Sequence, residues 1–406
     1  MFRRSTALSA GRYPIPNLDL NYAATGALSG IETFTRASSA WAFNQTGTLS
    51  QYAANTPRFD YDPATLASRG LLVEEQRTNL LLNSNTFSAW SNSGLSVTGS
   101  SGTAPSGSND AWLLGAGVAE GRGALIVAIP ADTTVYAYSI HLKAGSSAVT
   151  DIRLSIVGGS EYDARVTWAT AGISVKKGTH AFSPSLQNIG GGWYRAVMGV
   201  ANTSRTQVLP YIFPAGQGTS ATGNVLAFGA QLEAGSFATS YIPTTSASAT
   251  RAADTCSIPL GAFGYDSAEG TLFAEFLRSA GTNSQQGRAA SLSNGSNANL
   301  IEIYQAGAAT PLGQIYSDGN VQAQFGAAGG APDTVQRAAI AWAAGASAFC
   351  AGGTTVQADT STVAPPVTSL RVGDRWDGAR NLNGNIRRIA YYPRALETAI
   401  LGRITS

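Results

Sequence analysis

Apolar and polar residues alternate with a period of two along most of this chain, and almost nowhere with a helical period. Alternating runs separated by Gly, Ser, Asn and Pro clusters predict strands at 95–99, 110–114, 123–129, 135–143, 150–157, 164–168, 193–200, 208–213 and 225–232. Their spacing suits a jelly roll. A second series is predicted at 270–276, 289–292, 299–304, 314–318, 321–325, 336–342, 346–350, 369–372 and 385–392. In the run 225–230 both alternating sets are largely apolar, which suits a strand covered on both faces. One short helix is predicted after Pro393, where Leu396, Ile400, Leu401 and Ile404 recur at helical spacing. The fold class is all-β: two β-sandwiches in tandem and a single short C-terminal helix.

The pattern also divides the chain. Residues 1 to about 30 show little period beyond the brief alternation of Leu18, Leu20 and Tyr22, and predict an extended arm that needs a partner surface. From 31 the signal sharpens: 31–36 alternates, and Trp41, Phe43 and Leu49 flank the hairpin-like turn Asn44-Gln45-Thr46-Gly47. The arm and this small β unit form one segment, 1–85. The first sandwich takes 86–250 and the second 251–406, joined through the small, polar stretch 244–250.

The stretch 229–254 organises the rest. Its AQLEAGSFATSYIPT (230–244) followed by TRAAD (250–254) is similar to a pattern in tail-fibre, head-fibre and head-spike proteins of tailed phages and phage-like gene transfer agents. There it marks the junction between a carbohydrate-binding-module-like sandwich and a concanavalin A-like (laminin-G-like) sandwich. FTRASSAWAF (34–43), PRFDYDPAT (57–65) and GLLVEEQRTNLLLNSN (70–85) resemble the N-terminal segment of these proteins. LNGNIRRIAYYPRALETAILGRIT (382–405) resembles the end of the lectin-like domain. The resemblance implies that 1–85 attaches to a capsid or tail protein, that the chain forms a homo-oligomer (a trimer by family analogy), and that it sits on the surface of a virion or virus-like particle. Fold alone fixes neither ligand nor reaction.

Composition narrows the partners. Only 12% of residues are charged and the formal net charge is +2, with no Lys/Arg block, so nothing favours nucleic acid or an anionic membrane. No apolar run is long enough to cross a bilayer, and Arg3-Arg4 is followed by no apolar core of a signal peptide. Membrane insertion is not expected, and synthesis is expected in a bacterial cytoplasm without a signal peptide. Cys256 and Cys350 are expected to be free buried thiols, with a disulfide as the alternative. No Cys/His zinc spacing is visible.

Catalysis has little support. There is no G-x-S-x-G elbow, the two histidines (His141, His180) stand far apart, and no phosphate loop precedes a helix, so neither an enzyme nor a cofactor is expected. The close carboxylate pairs Glu161/Asp163, Asp60/Asp62 and Asp374/Asp377 read as turn-forming or solvated acids. Binding needs less: an aromatic ring for the C–H face of a sugar and polar groups for its hydroxyl rim. Trp168, Trp193 and Trp342 read as core and Trp41 as hairpin packing. Trp90 and Trp112 sit among Ser, Asn, Asp and Gly. Trp376 stands in Gly373-Asp374-Arg375-Trp376-Asp377-Gly378, followed by Arg380, a turn rich in what a sugar site uses. The expected carbohydrate-binding residues are Trp376, Asp374, Asp377, Arg375, Trp90 and Trp112. Asp374 and Asp377 are also the calcium candidates, but two acids supply too few oxygens to specify that ion, and no metal is predicted. The expected function is a non-enzymatic spike or fibre protein that adheres to host cell-surface polysaccharide. The alternatives are a capsule depolymerase and a structural particle component without glycan binding.

Overall fold

The structure is a computed structural model that describes residues 14–218, 220–279, 286–306, 310–326, 334–353 and 355–406. Alternation becomes two β-sandwiches. In the first, a six-stranded sheet runs in the order Phe182–Asn188, Trp193–Ala201, Val135–Ala144, Gly223–Ala234, Trp112–Ala116, Leu95–Thr98. A seven-stranded sheet faces it, with Gly172–Lys177, Glu161–Thr167, Val149–Ile156 and Gln207–Phe213 as its main path. Tyr138, Ile140, Leu142, Ile152, Leu154, Met198 and Leu232 fill the space between them and are fully buried.

In the second sandwich one sheet runs Thr355–Asp359, Ala346–Ala351, Gln336–Ala343, Gly270–Arg278, Gly384–Tyr392, Ser68–Val73, Phe59–Tyr61. The facing sheet runs Thr33–Thr35, Thr255–Pro259, Ser369–Val372, Gly287–Ser293, Leu300–Ala306, Thr310–Ser317, Asn320–Gly326. The long pairings in both sandwiches are antiparallel. The predicted helix is Thr398–Thr405, whose Leu401 packs on Ala339, Ala348 and Cys350 outside the first of these sheets. A one-turn helix, Tyr22–Thr25, is an addition. Asn21 Oδ1 caps it by accepting from Ala24 N, and Gly26 closes it at a φ of 57°.

The N-terminal arm and small β unit, expected to lie against a neighbour or a partner, supply strands to the second sandwich. Residues 1–13 lie outside the described residues. Leu18–Leu20 pairs in register with one end of Gly384–Tyr392, Thr33–Thr35 pairs with Thr255–Pro259, and Ser68–Val73 pairs with the other end of Gly384–Tyr392, along the edge opposite Gly270–Arg278. Leu18, Leu20, Tyr22, Leu71 and Val73 belong to the core of the second sandwich. These strands are too short to bury anything alone, so they complete a sheet begun by the C-terminal half. The hairpin Ala40–Phe43 with Leu49–Tyr52 forms its own two-stranded sheet, while Arg77–Asn79 pairs with Ala249–Arg251 across the seam between the sandwiches.

Candidate functional site

The segments 34–43, 57–65, 70–85 and 230–254 meet at that seam. Asp254 accepts from Arg36 Nη1 at 3.1 Å on one oxygen, and from Arg58 Nη2 at 2.5 Å and Glu74 N at 2.9 Å on the other. Glu74 pairs with Arg58 at 2.8 Å and with Arg251, and accepts from Ser240 N at 2.8 Å and Ser240 Oγ at 2.7 Å. Burial alone would raise the Glu74 carboxyl, but Arg251, Arg58 and Ser240 outweigh it and hold it at about 2. Glu233 accepts from Thr239 N and Oγ1, and Asn79 ties Leu81 N and Leu232 N to Ile242 O. Arg36, Arg58, Arg251 and Asp254 are at most 1% exposed. The charged residues of these motifs are therefore largely consumed in joining segments far apart in sequence.

The turn carrying Trp376 is at the surface, at the end of the second sandwich. It is closed by Gly378 N to Arg375 O and Arg375 N to Ala379 O, both 2.9 Å. Trp376 is half-buried. Its Nε1 donates to Asn297 Oδ1 at 3.1 Å, which also accepts from Arg375 Nη1 at 3.3 Å. The Arg375 guanidinium stands 5.7 Å from the indole and pairs with Asp377. Hydrogen bonds from Arg375 and from Ala379 N keep the Asp377 carboxyl below its ordinary value. Asn297, from the hairpin between Gly287–Ser293 and Leu300–Ala306, was not foreseen. Its signal was only the small-residue loop Asn294-Gly295-Ser296-Asn297, a common turn composition.

The remaining expected residues do not join this surface. Asp374 is fully buried and held bidentately by Arg371; burial pushes its carboxyl up to about 7 against that pair. Asp374 and Asp377 therefore point to different arginines and do not form a shared pair. Trp90, 4% exposed, packs on Phe87 with ring centres 5.0 Å apart and donates Nε1 to Asn83 O, so it is core despite its polar neighbours. Trp112 is half-buried against the same core and donates Nε1 to Asn85 O at 2.7 Å. Glu161 and Asp163 both engage Arg153. Asp62 shapes its own turn by accepting from Ala64 N and Thr65 N. Cys256 and Cys350 are free and buried.

A cleft of about 680 Å³ opens between the sandwiches. Its floor is the outer face of the six-stranded sheet, with His141 and Arg195 and the edge residues Ser183, Ser185 and Gln187; Phe43, Asp60 and Asn385 stand on the walls. Burial pushes the Asp60 carboxyl up to about 6, with Arg69 and the Phe43 N–H pulling the other way. Burial and then Arg195 lower His141 to about 3, so it is neutral and donates Nδ1–H to Gly229 O at 3.2 Å.

No protein-family model matches the chain, and no curated protein matches it. Among solved structures it is similar to the CBM40 of Ruminococcus gnavus IT-sialidase bound to α2,3-sialyllactose. The identity is 15% over 35% of this chain and 84% of that one, with a TM-score of 0.31. It is also similar to mouse laminin α1 domains LG4-5, at 10% identity over 68% of this chain and 88% of that one, with a TM-score of 0.24. The pentraxin of Limulus polyphemus aligns with 34% of this chain and 70% of its own at 12% identity, with a TM-score of 0.27. The sheets themselves make the chain an all-β protein of two β-sandwiches in tandem.

Proposed function

We propose that this chain is an adhesive spike or fibre protein of a phage or phage-like particle, which binds host cell-surface polysaccharide without cleaving it. The observation that carries the reading is the surface cluster of Trp376, Arg375, Asp377 and Asn297. A half-exposed indole is fixed by its N–H, so its ring is set for the C–H face of a pyranose, and the flanking guanidinium, carboxylate and amide suit a hydroxyl rim. A site this shallow is weak alone and gains from many copies, which fits a homo-oligomer, a trimer by family analogy, displayed on a particle. Attachment to a capsid or tail protein is assigned to the N-terminal end.

The test is binding of purified protein to host cells with and without their capsule, beside Trp376→Ala. Capsule-dependent binding that falls about tenfold in the variant is expected. Equal binding to both cell types overturns the reading. A depolymerase reading draws on Asp60 and Glu74 lining one cleft at about 6 and about 2. Both Glu74 oxygens are already occupied by Arg58, Arg251 and Ser240. Capsule length after incubation separates the two: unchanged chains support adhesion and shortened chains the enzyme.

A further inference from the structure

We propose that the cleft between the sandwiches is a second binding site, built for a sugar that carries a carboxylate. The inference rests on the glycan-binding reading but uses different residues. Its volume of about 680 Å³ lies within the range that holds small ligands.

The floor offers a cation without an ion-pair partner at bonding distance, on which Glu233 and Glu74 act only through space. Arg36, Arg58, Arg77 and Arg251 at the seam each pair with a carboxylate. Arg195 forms no ion pair among the described residues. Its Nη2 donates to two neutral oxygens, Ser139 Oγ at 2.9 Å and Thr239 O at 2.7 Å, and its Nε is buried without a partner. Arg195 is half-buried, and a guanidinium partly withdrawn from water whose hydrogen-bond partners are neutral gains from an anion delivered to it. Arg69, on the wall, is already paired with Asp62, and His141 is neutral, so neither competes for the anion.

The walls offer what a sugar needs beside its carboxylate. Asn385 is 4% exposed and its Nδ2 has no partner, a donor that a hydroxyl would satisfy. Asp60 accepts from Phe43 N on one oxygen, and its other oxygen has no partner among the described residues. The half-buried rings of Phe43 and Phe182 supply apolar surface. A guanidinium on the floor and a carboxyl on a wall give the cleft a polarity, so an acidic sugar enters with its carboxylate toward Arg195 and hydroxyls toward Asp60.

The test is titration calorimetry of the full chain with trigalacturonate and 3′-sialyllactose, their methyl esters, and maltotriose. At least one acid is expected to bind about tenfold tighter than its ester, because only the free carboxylate pairs with the guanidinium. Arg195→Gln should erase that difference, but it also removes bonds to Ser139 and Thr239 and can unfold the seam. Ser185→Trp avoids this: Ser185 is exposed on an edge strand, and an indole there blocks the mouth. Loss of acid binding in Ser185→Trp, with binding kept in Trp376→Ala, is the expected result. Equal affinity for acid and ester, acid binding unchanged in Ser185→Trp, or no binding of either acid at millimolar concentration overturns the proposal. Capsule binding that survives alongside any of these leaves the adhesive function standing and removes this site alone.

Discussion

Asp254 shows how one residue is worth more than its surroundings suggest. It neutralises Arg36 and Arg58, and nothing else near it replaces that charge at bonding distance to both. Asp254→Asn is expected to destabilise the protein by about 3–5 kcal/mol in urea denaturation, since the arginines stay buried while their counter-charge goes. The half-exposed pair Arg375–Asp377 is the control: Asp377→Asn is expected to cost less than about 1 kcal/mol. A loss of similar size in both variants would contradict this account of the seam.

Asp60 gives a pH signature at the same scale. Its folded carboxyl stands at about 6, above the unfolded 3.8, so the folded state holds the proton more tightly. Its contribution is fully present below about pH 4 and is lost as pH rises through about 6. Asp60→Asn keeps an acceptor for Phe43 N but cannot ionise. Relative to that variant, the wild type is expected to lose roughly 2 kcal/mol between pH 4 and pH 7. Denaturation midpoints measured at both values check it; a constant difference would refute it.

At the scale of elements, the strands that alternation predicts are those with one face in a core. Gly172–Lys177 and Phe182–Asn188 escaped because they are polar edge strands, and their residues are largely exposed or half-buried. The four N-terminal strands were legible as fragments, Leu18 and Leu20 for example, but Leu18–Leu20, Thr33–Thr35 and Ser68–Val73 find partners hundreds of residues away, and only Phe59–Tyr61 pairs locally, with Ser68–Val73. Gly70 records how close that approach is: it sits at a φ of 93°, and a Cβ there would stand 2.3 Å from Ile386 O. A chain that starts at residue 86 would lack Leu18–Leu20, Thr33–Thr35, Phe59–Tyr61 and Ser68–Val73, and expose the second core. It is expected to melt without a cooperative transition and to bind ANS. A sharp transition like that of the full chain would show that the N-terminal segment is dispensable after all.

At the scale of the whole molecule, the seam ties five stretches of sequence into one polar network, and the cleft exists only because the two sandwiches are held there. Composition made the broad class readable: few charges and abundant Gly and Ser suit neutral, turn-rich β-sandwiches. It did not reveal that most of the motif charges would be buried, because a charged residue looks the same in sequence whether its partner is water or an arginine 200 residues distant. Trp90 and Trp376 make the same point from opposite sides. Both stand among polar neighbours, yet one is core and the other borders solvent.

The sequence by itself determined most of the strands with a face in a core, the two sandwiches and the C-terminal helix, since period and turn chemistry act over a few residues. Only the tertiary structure decided which strands close the second sandwich, which carboxylates are spent on Arg36, Arg58 and Arg251, and that Arg195 is left lining a cleft without an ion-pair partner. The physical reason is that burial and ion pairing depend on what covers a residue's far side, and in a β-sandwich that cover comes from distant chain.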